Sequence, residues 1–202
     1  TVGDKFNFKI TVNTGTNTHA PSTATGRDTD FVITDTLGKG FTLATEAADF
    51  AIADWTYGTD YTVTIDDADD STKDTTITIT LKASKLATVV QNTDIDITYD
   101  AVLNENAITT GSATNSANDQ TTTTYTYEFE ILKVDSGNTA LEGVKFTLTN
   151  QAGDEYYFVP SDASSVDEDV MKALAEGQDG KIETGEDGKI KFSGLAAGTY
   201  TL

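Results

Sequence analysis

The chain has 202 residues, no cysteine and a formal net charge of −20, which limits both its size class and the partners that it can bind. A length of this order suits one or two domains, and the negative charge argues against nucleic-acid binding, because phosphate contacts need clustered lysine and arginine. The sequence contains no apolar run that approaches membrane-spanning length, so no membrane insertion is expected for this segment.

Alternation of apolar and polar residues predicts a first half that is rich in strands. Residues 4–12 alternate cleanly, which puts Phe6, Phe8 and Ile10 on one face of a strand. A long polar loop is predicted for residues 13–29 and a polar bridge for residues 111–124. The other strands predicted in this half are 31–37, 41–43, 61–65, 76–81 and 94–103, and short helical turns are predicted at 46–50 and 84–90.

Three motifs follow one another in the first half in an order that resembles a known family. The motifs are V-G-D-K-F-N-F-K-I-T-V, F-V-I-T-D-T-L-G-K-G-F-T-L and D-I-T-Y-D-A-V-L-N-E-N-A. This order is similar to the middle domain of backbone pilins, the shaft subunits that sortase enzymes polymerise into Gram-positive pili. The resemblance implies that residues 1–122 form a Cna B-like domain, an immunoglobulin-like β-sandwich.

The same resemblance implies a role for Asp35. In the family, a V-T-D-T segment carries the carboxyl group that promotes an intramolecular isopeptide bond, and that segment maps onto residues 33–36. Alternation also places Asp35 on one face with Ile33 and Leu37, where a carboxylate needs a reason to be. The alternative is an aspartate at a strand end that caps the following turn.

The resemblance further implies an acceptor asparagine near the end of this domain, in an N-x-A element. Asn115 fits that element best and Asn118 is the second choice, while the alternative is that both are loop asparagines in the polar bridge. The attacking lysine is expected on the first strand, upstream of Thr1. Lys5 and Lys9 lie opposite the apolar face of their strand and are expected to point to solvent.

A lysine ends an alternating run at the start of the second half. Residues 125–134 read Y-T-Y-E-F-E-I-L-K-V, and a period of two places Lys133 on the same face as Phe129 and Ile131. A buried ammonium group without a partner is costly, so it pairs, loses its proton or reacts. The alternative is an edge-strand lysine whose long side chain extends to solvent.

The motifs around and after this lysine resemble a second family. K-V-D, L-x-G-V-x-F-T-L and G-L-x-x-G-x-Y-T-L occur in this order. They are similar to the collagen-adhesin B-type (Cna B-type) domain of Gram-positive surface proteins, in which a first-strand lysine attacks an asparagine on the last strand. The resemblance implies that Lys133 is that lysine. Residues 123–202 are then the N-terminal part of an incomplete domain, with a short helical insertion predicted at 166–175.

Together these features predict an all-β chain of two tandem immunoglobulin-like β-sandwiches with a structural role. A lysine amine becomes a nucleophile when it is neutral, and a carboxyl group kept protonated by burial can polarise the amide that it attacks. The attack releases ammonia and leaves a cross-link once per chain. The protein is therefore not expected to be an enzyme in the ordinary sense.

The resemblances imply covalent partners and an extracellular location. The expected partners are other pilin subunits, joined by a sortase in a pilus anchored to the cell wall. The alternative is a surface adhesin or a tip pilin that binds a host matrix protein or glycan through the segments 13–29 and 150–193. No cofactor or metal is expected, because the single histidine, His19, has no companion ligand and no nucleotide-binding motif is present.

Overall fold

The computed structural model describes residues 1–14, 29–70, 72–153, 155–159, 170–173 and 182–202. The chain is mostly strand in these ranges, which confirms the predicted all-β class. It divides into two compact units. The first unit contains Lys5–Val102 and Thr114–Thr122, and the second contains Thr1–Asp4, Leu103–Ala113 and Thr123–Leu202. In the described part of the chain, no helix is both long enough and apolar enough to cross a membrane.

The first unit is built mainly from two antiparallel sheets. Its strands are β1 (Lys5–Asn13), β2 (Phe31–Leu37), β3 (Phe41–Leu43), β4 (Ala51–Ile52), β5 (Tyr61–Asp66), β6 (Thr75–Leu81), β7 (Asp94–Leu103), β8 (Ser112–Ala117) and β9 (Gln120–Tyr125). One sheet has the order β1-β7-β3, with β4 also paired to β7. The other sheet has the order β5-β6-β2-β8-β9.

Alternation on β1 and β7 fixes which side of their sheet is apolar. The two strands pair antiparallel from Lys5 opposite Val102 to Asn13 opposite Asp94. On β7 every second residue is buried, and on β1 the aromatic and aliphatic positions are half-buried. Lys5 and Lys9 lie on the outer face, as predicted, where they form ion pairs with acidic residues of β7.

The predicted polar bridge at 111–124 is wrong, because this segment contains the strands β8 and β9. β8 has the sequence S-A-T-N-S-A and lacks apolar alternation, so its strand character was not visible in the sequence. The segment forms a strand because it pairs with β2, with Leu37 opposite Asn115 and Asp35 opposite Ala117. Such tertiary pairing commonly overrides weak strand propensity.

The short helices of the chain differ in part from the predicted turns. The predicted turn at 46–50 contains a single 3-10 turn, Ala47–Asp49, and the predicted helix at 84–90 is shorter, α1 (Ala83–Leu86). A further helix, α2 (Asn106–Thr110), ends at Gly111 in a left-handed conformation with φ of 68°. This helix was not predicted.

The second unit combines small sheets around one apolar cluster. Its strands are β10 (Tyr127–Leu132), β11 (Lys145–Phe146), β12 (Leu148–Asn150), β13 (Glu155–Val159), β14 (Val170–Ala173), β15 (Ile182–Glu183), β16 (Lys189–Leu195) and β17 (Tyr200–Thr201). β10 pairs with β16, β11 pairs with β15, and the third sheet has the order β14-β13-β12-β17. The core residues are Leu148, Ile190, Phe192 and Leu195, with Phe129, Ile131, Phe146 and Tyr200 packed against them.

The helix predicted at 166–175 is wrong for the part that the structure describes. Val170–Ala173 is the strand β14, which pairs antiparallel with β13 from Val159 opposite Val170 to Tyr156 opposite Ala173. A few apolar residues in a short segment fit the period of a helix and that of a strand equally well. Here the neighbouring strand provides hydrogen-bond partners for the backbone N–H and C=O groups. The rest of that segment lies outside the described residues, as do residues 15–28 of the predicted long loop, including His19.

A substitution at Gly38 tests the close approach of β8 to the end of β2. A Cβ atom at Gly38 would lie 2.7 Å from the backbone oxygen of Thr114 and 2.9 Å from its Oγ1, so Gly38→Ala must push the two segments apart. We expect a loss of about 1–3 kcal/mol in the free energy of unfolding, measured in urea. In the control Gly198→Ala, the new methyl group meets only the Tyr200 ring at 3.7 Å. Equal stability of the two variants would contradict the close approach.

Candidate functional site

Three polar side chains meet inside the first unit. Asp35 on β2 is 0% exposed, Tyr99 on β7 is 2% exposed, and Asn115 on β8 is 7% exposed. β2 and β8 are neighbours in one sheet, whereas β7 belongs to the other. Alternation directs all three side chains inward, so the tyrosine reaches from one sheet to two strands of the opposite sheet.

The hydroxyl group of Tyr99 links the other two side chains. Tyr99 Oη donates a hydrogen bond to Asp35 Oδ2 at 2.6 Å and accepts one from Asn115 Nδ2 at 2.6 Å. The remaining oxygens, Asp35 Oδ1 and Asn115 Oδ1, are buried and have no hydrogen-bond partner among the described residues. Buried acceptors of this kind each cost about 1–3 kcal/mol when they are unpaired. The cluster therefore presents two acceptors to a donor group.

Aromatic packing holds the Tyr99 ring in place. The ring stacks on Phe50 with a centroid distance of 4.9 Å and on Phe8 with a centroid distance of 5.5 Å. Phe8 lies directly opposite Tyr99 in the ladder between β1 and β7, and Phe50 is fully buried. Because the ring is held by these two neighbours, the position of the hydroxyl group is set by the core rather than by the two hydrogen bonds alone.

Burial favours neutral forms throughout the cluster. Desolvation raises the pKa of Asp35, and the hydrogen bond from Tyr99 opposes this effect. Burial also raises the pKa of Tyr99 above its ordinary value. A carboxylic acid next to a primary amide is a pair suited to proton transfer, because the acid retains its proton at a higher pH than usual.

The structure brings Asp35 and Asn115 together but places the second choice, Asn118, elsewhere. Asn118 is exposed, lies between β8 and β9 with φ of 51°, and donates its backbone N–H to Thr34. Asp35 is not a turn cap, since its side chain is enclosed in the core. The buried polar and charged residues of the described ranges include no lysine: they are Thr1, Asp35, Thr75, Asn115, Thr184 and Ser193.

Tyr99 was missed as a site residue in the sequence. Alternation along β7 places it on the same face as Ile97 and Ala101, and a phenol on an apolar face needs a hydrogen-bond partner. That signal was present, but the partners are 64 residues earlier and 16 residues later in the chain. Spacing in the sequence carries no information on such pairs.

The prediction that Lys133 points into the core is wrong, because the residue is exposed. β10 ends at Leu132, and a register shift between Tyr127 and Phe129 interrupts the strand pairing that alternation assumes. The backbone of Lys133 instead bonds to Gly188 and Leu141 in the loops that follow. Its role as a cross-linking lysine stays a prediction.

A family model matches the second half of the chain. Residues 127–202 match the family model described as SpaA, prealbumin-like fold domain. No curated protein matches the chain.

Solved structures share the fold over nearly the whole chain. The backbone protein of the group B streptococcus pilus 2b has a TM-score of 0.61 and 21% identity, covering 98% of this chain and 78% of that chain. The pilus backbone RrgB of Streptococcus pneumoniae has a TM-score of 0.61 and 13% identity, covering 98% and 82%. The major pilin SpaA of Corynebacterium diphtheriae, described with stabilising isopeptide bonds, has a TM-score of 0.60 and 16% identity, covering 99% and 52%. The predicted resemblance to backbone pilins is confirmed at the level of the fold.

The raised pKa of Asp35 predicts a pH-dependent stability. A folded-state pKa above the ordinary value of about 3.9 gives a stabilising contribution that is complete below pH ~4 and is lost as the pH rises through the folded-state pKa. Asp35→Asn cannot ionise, so the stability of the wild type relative to this variant should fall as the pH rises above ~4. Urea unfolding over a pH series measures this difference.

Asp96→Asn is the matched control for this experiment. The pKa of the exposed Asp96 is lowered by hydrogen bonds from Thr11 and Lys9. Its contribution is therefore present above the ordinary carboxyl pKa and is lost as the pH falls through the lowered value. Relative to this variant, the wild type should gain stability as the pH rises. The same trend for both variants would contradict a neutral Asp35.

Proposed function

We propose that this chain is a structural subunit of a sortase-assembled pilus, in which the first unit is closed by an isopeptide bond between a lysine and Asn115. The buried cluster of Asp35, Tyr99 and Asn115 is the observation that carries the proposal. The fold shared with pilus backbone proteins supports it. Each cross-link of this kind forms only once, so the protein is not an enzyme with turnover.

The free-energy cost of burying unpaired polar atoms in this cluster favours a reactive role over a purely structural one. Buried polar networks that only stabilise a core are usually fully hydrogen-bonded. Here Asp35 Oδ1 and Asn115 Oδ1 are unpaired among the described residues. The N–H groups of a lysine amine would supply donors to these oxygens. A neutral amine also avoids the cost of a buried ammonium group.

The proposed reaction joins the lysine Nζ to the side-chain carbon of Asn115. The neutral amine attacks Cγ, the new C–N bond forms, the bond from Cγ to Nδ2 breaks, and ammonia leaves. One proton passes overall from the amine to the leaving nitrogen, and the neutral Asp35 is the proposed acid for this transfer. We propose that the lysine lies on a strand before Thr1, as the resemblance to backbone pilins implies, and no lysine of the described residues is buried.

A cross-link at Asn115 would give the unit its mechanical function. Asn115 lies in the last segment of the first unit, Thr114–Thr122. An amide bond from there to a strand before Thr1 would tie the ends of the unit, so that tension along the chain bypasses the hydrogen bonds of the sheets. The bond also restricts the unfolded chain, an effect that for disulfides is about 2–4 kcal/mol.

The proposed partners are further copies of this subunit. They would be joined covalently by a sortase in a pilus that is extracellular and anchored to the cell wall. Lys133 is proposed as the lysine of a second cross-link, within the part of the chain that the SpaA family model matches. This second proposal rests on the resemblance of the motifs around Lys133, because the Lys133 side chain is exposed in the structure.

Intact mass spectrometry of the native protein, with the residues that precede Thr1 and follow Leu202, tests the cross-link at Asn115. We expect a mass lower than the sequence mass by about 17 Da for each bond, because each releases one ammonia. Asn115→Ala and Asp35→Ala should each restore about 17 Da. The control Asn118→Ala removes an exposed asparagine of the same segment and should keep the loss.

A wild-type protein with the full sequence mass would contradict the covalent mechanism. A loss that survives in Asn115→Ala but not in Asn118→Ala would move the acceptor to Asn118. Lys133→Ala tests the second bond, since it should restore about 17 Da independently of Asn115. If no mass is lost and the protein binds immobilised matrix proteins or glycans, the adhesin function gains support over the shaft function.

A further inference from the structure

We propose that Tyr99 is a catalytic residue of the cross-linking reaction, and that its hydroxyl group passes a proton from Asp35 to the Asn115 nitrogen that leaves as ammonia. The inference rests on the proposed function. A carboxyl group and an asparagine alone do not define how the proton reaches the leaving nitrogen, and Tyr99 provides that path.

The geometry places one hydroxyl group between the acid and the leaving nitrogen. Tyr99 Oη lies 2.6 Å from Asp35 Oδ2 and 2.6 Å from Asn115 Nδ2. Both distances are short enough for proton transfer along existing hydrogen bonds. Nδ2 is the atom that must leave when an amine replaces it on Cγ, so the hydroxyl group touches a reacting atom.

The leaving nitrogen needs a proton at a defined moment. The nitrogen of a planar amide is a hydrogen-bond donor, which is the role of Asn115 Nδ2 in the structure. When an amine attacks Cγ, that carbon becomes tetrahedral and the nitrogen gains a basic lone pair. The hydrogen bond to Tyr99 Oη then reverses, and the hydroxyl group donates to the nitrogen.

The proton balance closes through Asp35. In the resting arrangement Tyr99 Oη donates to Asp35 Oδ2 at 2.6 Å. For the relay this hydrogen bond also reverses, so that the neutral Asp35, with its proton on Oδ2, donates to Tyr99 Oη. As Tyr99 gives its own proton to Nδ2, it takes the proton from Asp35 Oδ2. Asp35 Oδ1, which has no partner among the described residues, takes one proton from the attacking lysine amine. Ammonia leaves, the amide forms, and both Asp35 and Tyr99 end neutral.

Packing and burial suit Tyr99 to a relay rather than to a base. The stacked rings of Phe8 and Phe50 keep the hydroxyl group at its two contacts. Burial disfavours a tyrosinate, so the hydroxyl group must receive one proton as it releases the other. A tyrosine that only filled the core would not need its oxygen at the leaving nitrogen.

The rate of cross-linking in a Tyr99→Phe variant tests the relay. The native protein, with the residues before Thr1, is made by cell-free synthesis. Samples are taken at intervals and quenched in denaturant, and their intact mass is measured by mass spectrometry. Phenylalanine keeps the ring but removes the hydroxyl group, and the loss of about 17 Da should become about 10²-fold slower or more. Tyr61→Phe is the control, because Tyr61 is also buried and its hydroxyl group donates to the backbone oxygen of Phe50 and not to Asp35 or Asn115.

Replacement of Tyr99 by 3-fluorotyrosine separates a relay from a structural role. The fluorine makes the phenol more acidic while the ring and the hydroxyl group stay in place. A relay predicts a severalfold change in the rate of cross-linking, since proton transfer follows the acidity of the donor. An unchanged rate would overturn the proposal, even if Tyr99→Phe is unstable in thermal unfolding.

The outcomes separate this inference from the function on which it rests. A wild-type protein that never loses about 17 Da removes the cross-link and the relay together. A wild-type protein and a folded Tyr99→Phe variant that cross-link at the same rate leave the isopeptide bond standing and remove only the role of Tyr99. Equal slowing in Tyr61→Phe would show a general loss of stability and would also overturn the relay.

Discussion

The burial of one carboxyl group organises the first unit. Asp35 sits where strand alternation demands an apolar residue, and an ionised carboxylate there would lose its hydration. The neutral form avoids most of this cost, and Tyr99 provides a hydrogen bond from the opposite sheet. Burial raises the pKa of this carboxyl group. The Tyr99 hydroxyl group donates to it, and Asn115 donates to that hydroxyl group.

The two faces of β7 have different roles: the outer face carries charged residues, and the inner face packs in the core. On its outer face, Asp96 and Asp100 pair with lysines of β1 that are more than half exposed. Exposed pairs of this kind contribute little to stability. On its inner face, Tyr99 lies between two aromatic rings and reaches the opposite sheet. The polar chemistry of the unit is therefore inside the sandwich, where hydrogen bonds are strong and geometry is fixed.

In the second unit, the motifs around Lys133 indicate a domain but not the orientation of the lysine side chain. The motifs around Lys133 correctly indicated a domain that the SpaA family model also finds at residues 127–202. They did not determine where the lysine side chain lies. β10 ends one residue before Lys133, and the backbone of that residue joins Gly188 and Leu141 instead of a strand. Recognition of a domain depends on many positions, whereas the orientation of one side chain depends on local pairing.

The sequence alone determined the features that depend on period and composition. These are the all-β class, the extent of β7, the outward direction of Lys5 and Lys9, and the inward position of Asp35. Each follows from the two-residue period of an extended chain, which acts over a few neighbouring positions.

Only the tertiary structure decided which of these residues meet. β8 has almost no apolar pattern, so its place beside β2, which puts Asn115 in the core and leaves Asn118 exposed, comes from strand pairing. Tyr99 joins Asp35 across 64 residues of sequence. The strand at Val170–Ala173 likewise depends on its neighbour β13. Contacts between distant segments depend on which surfaces pack together, and local periodicity does not specify them.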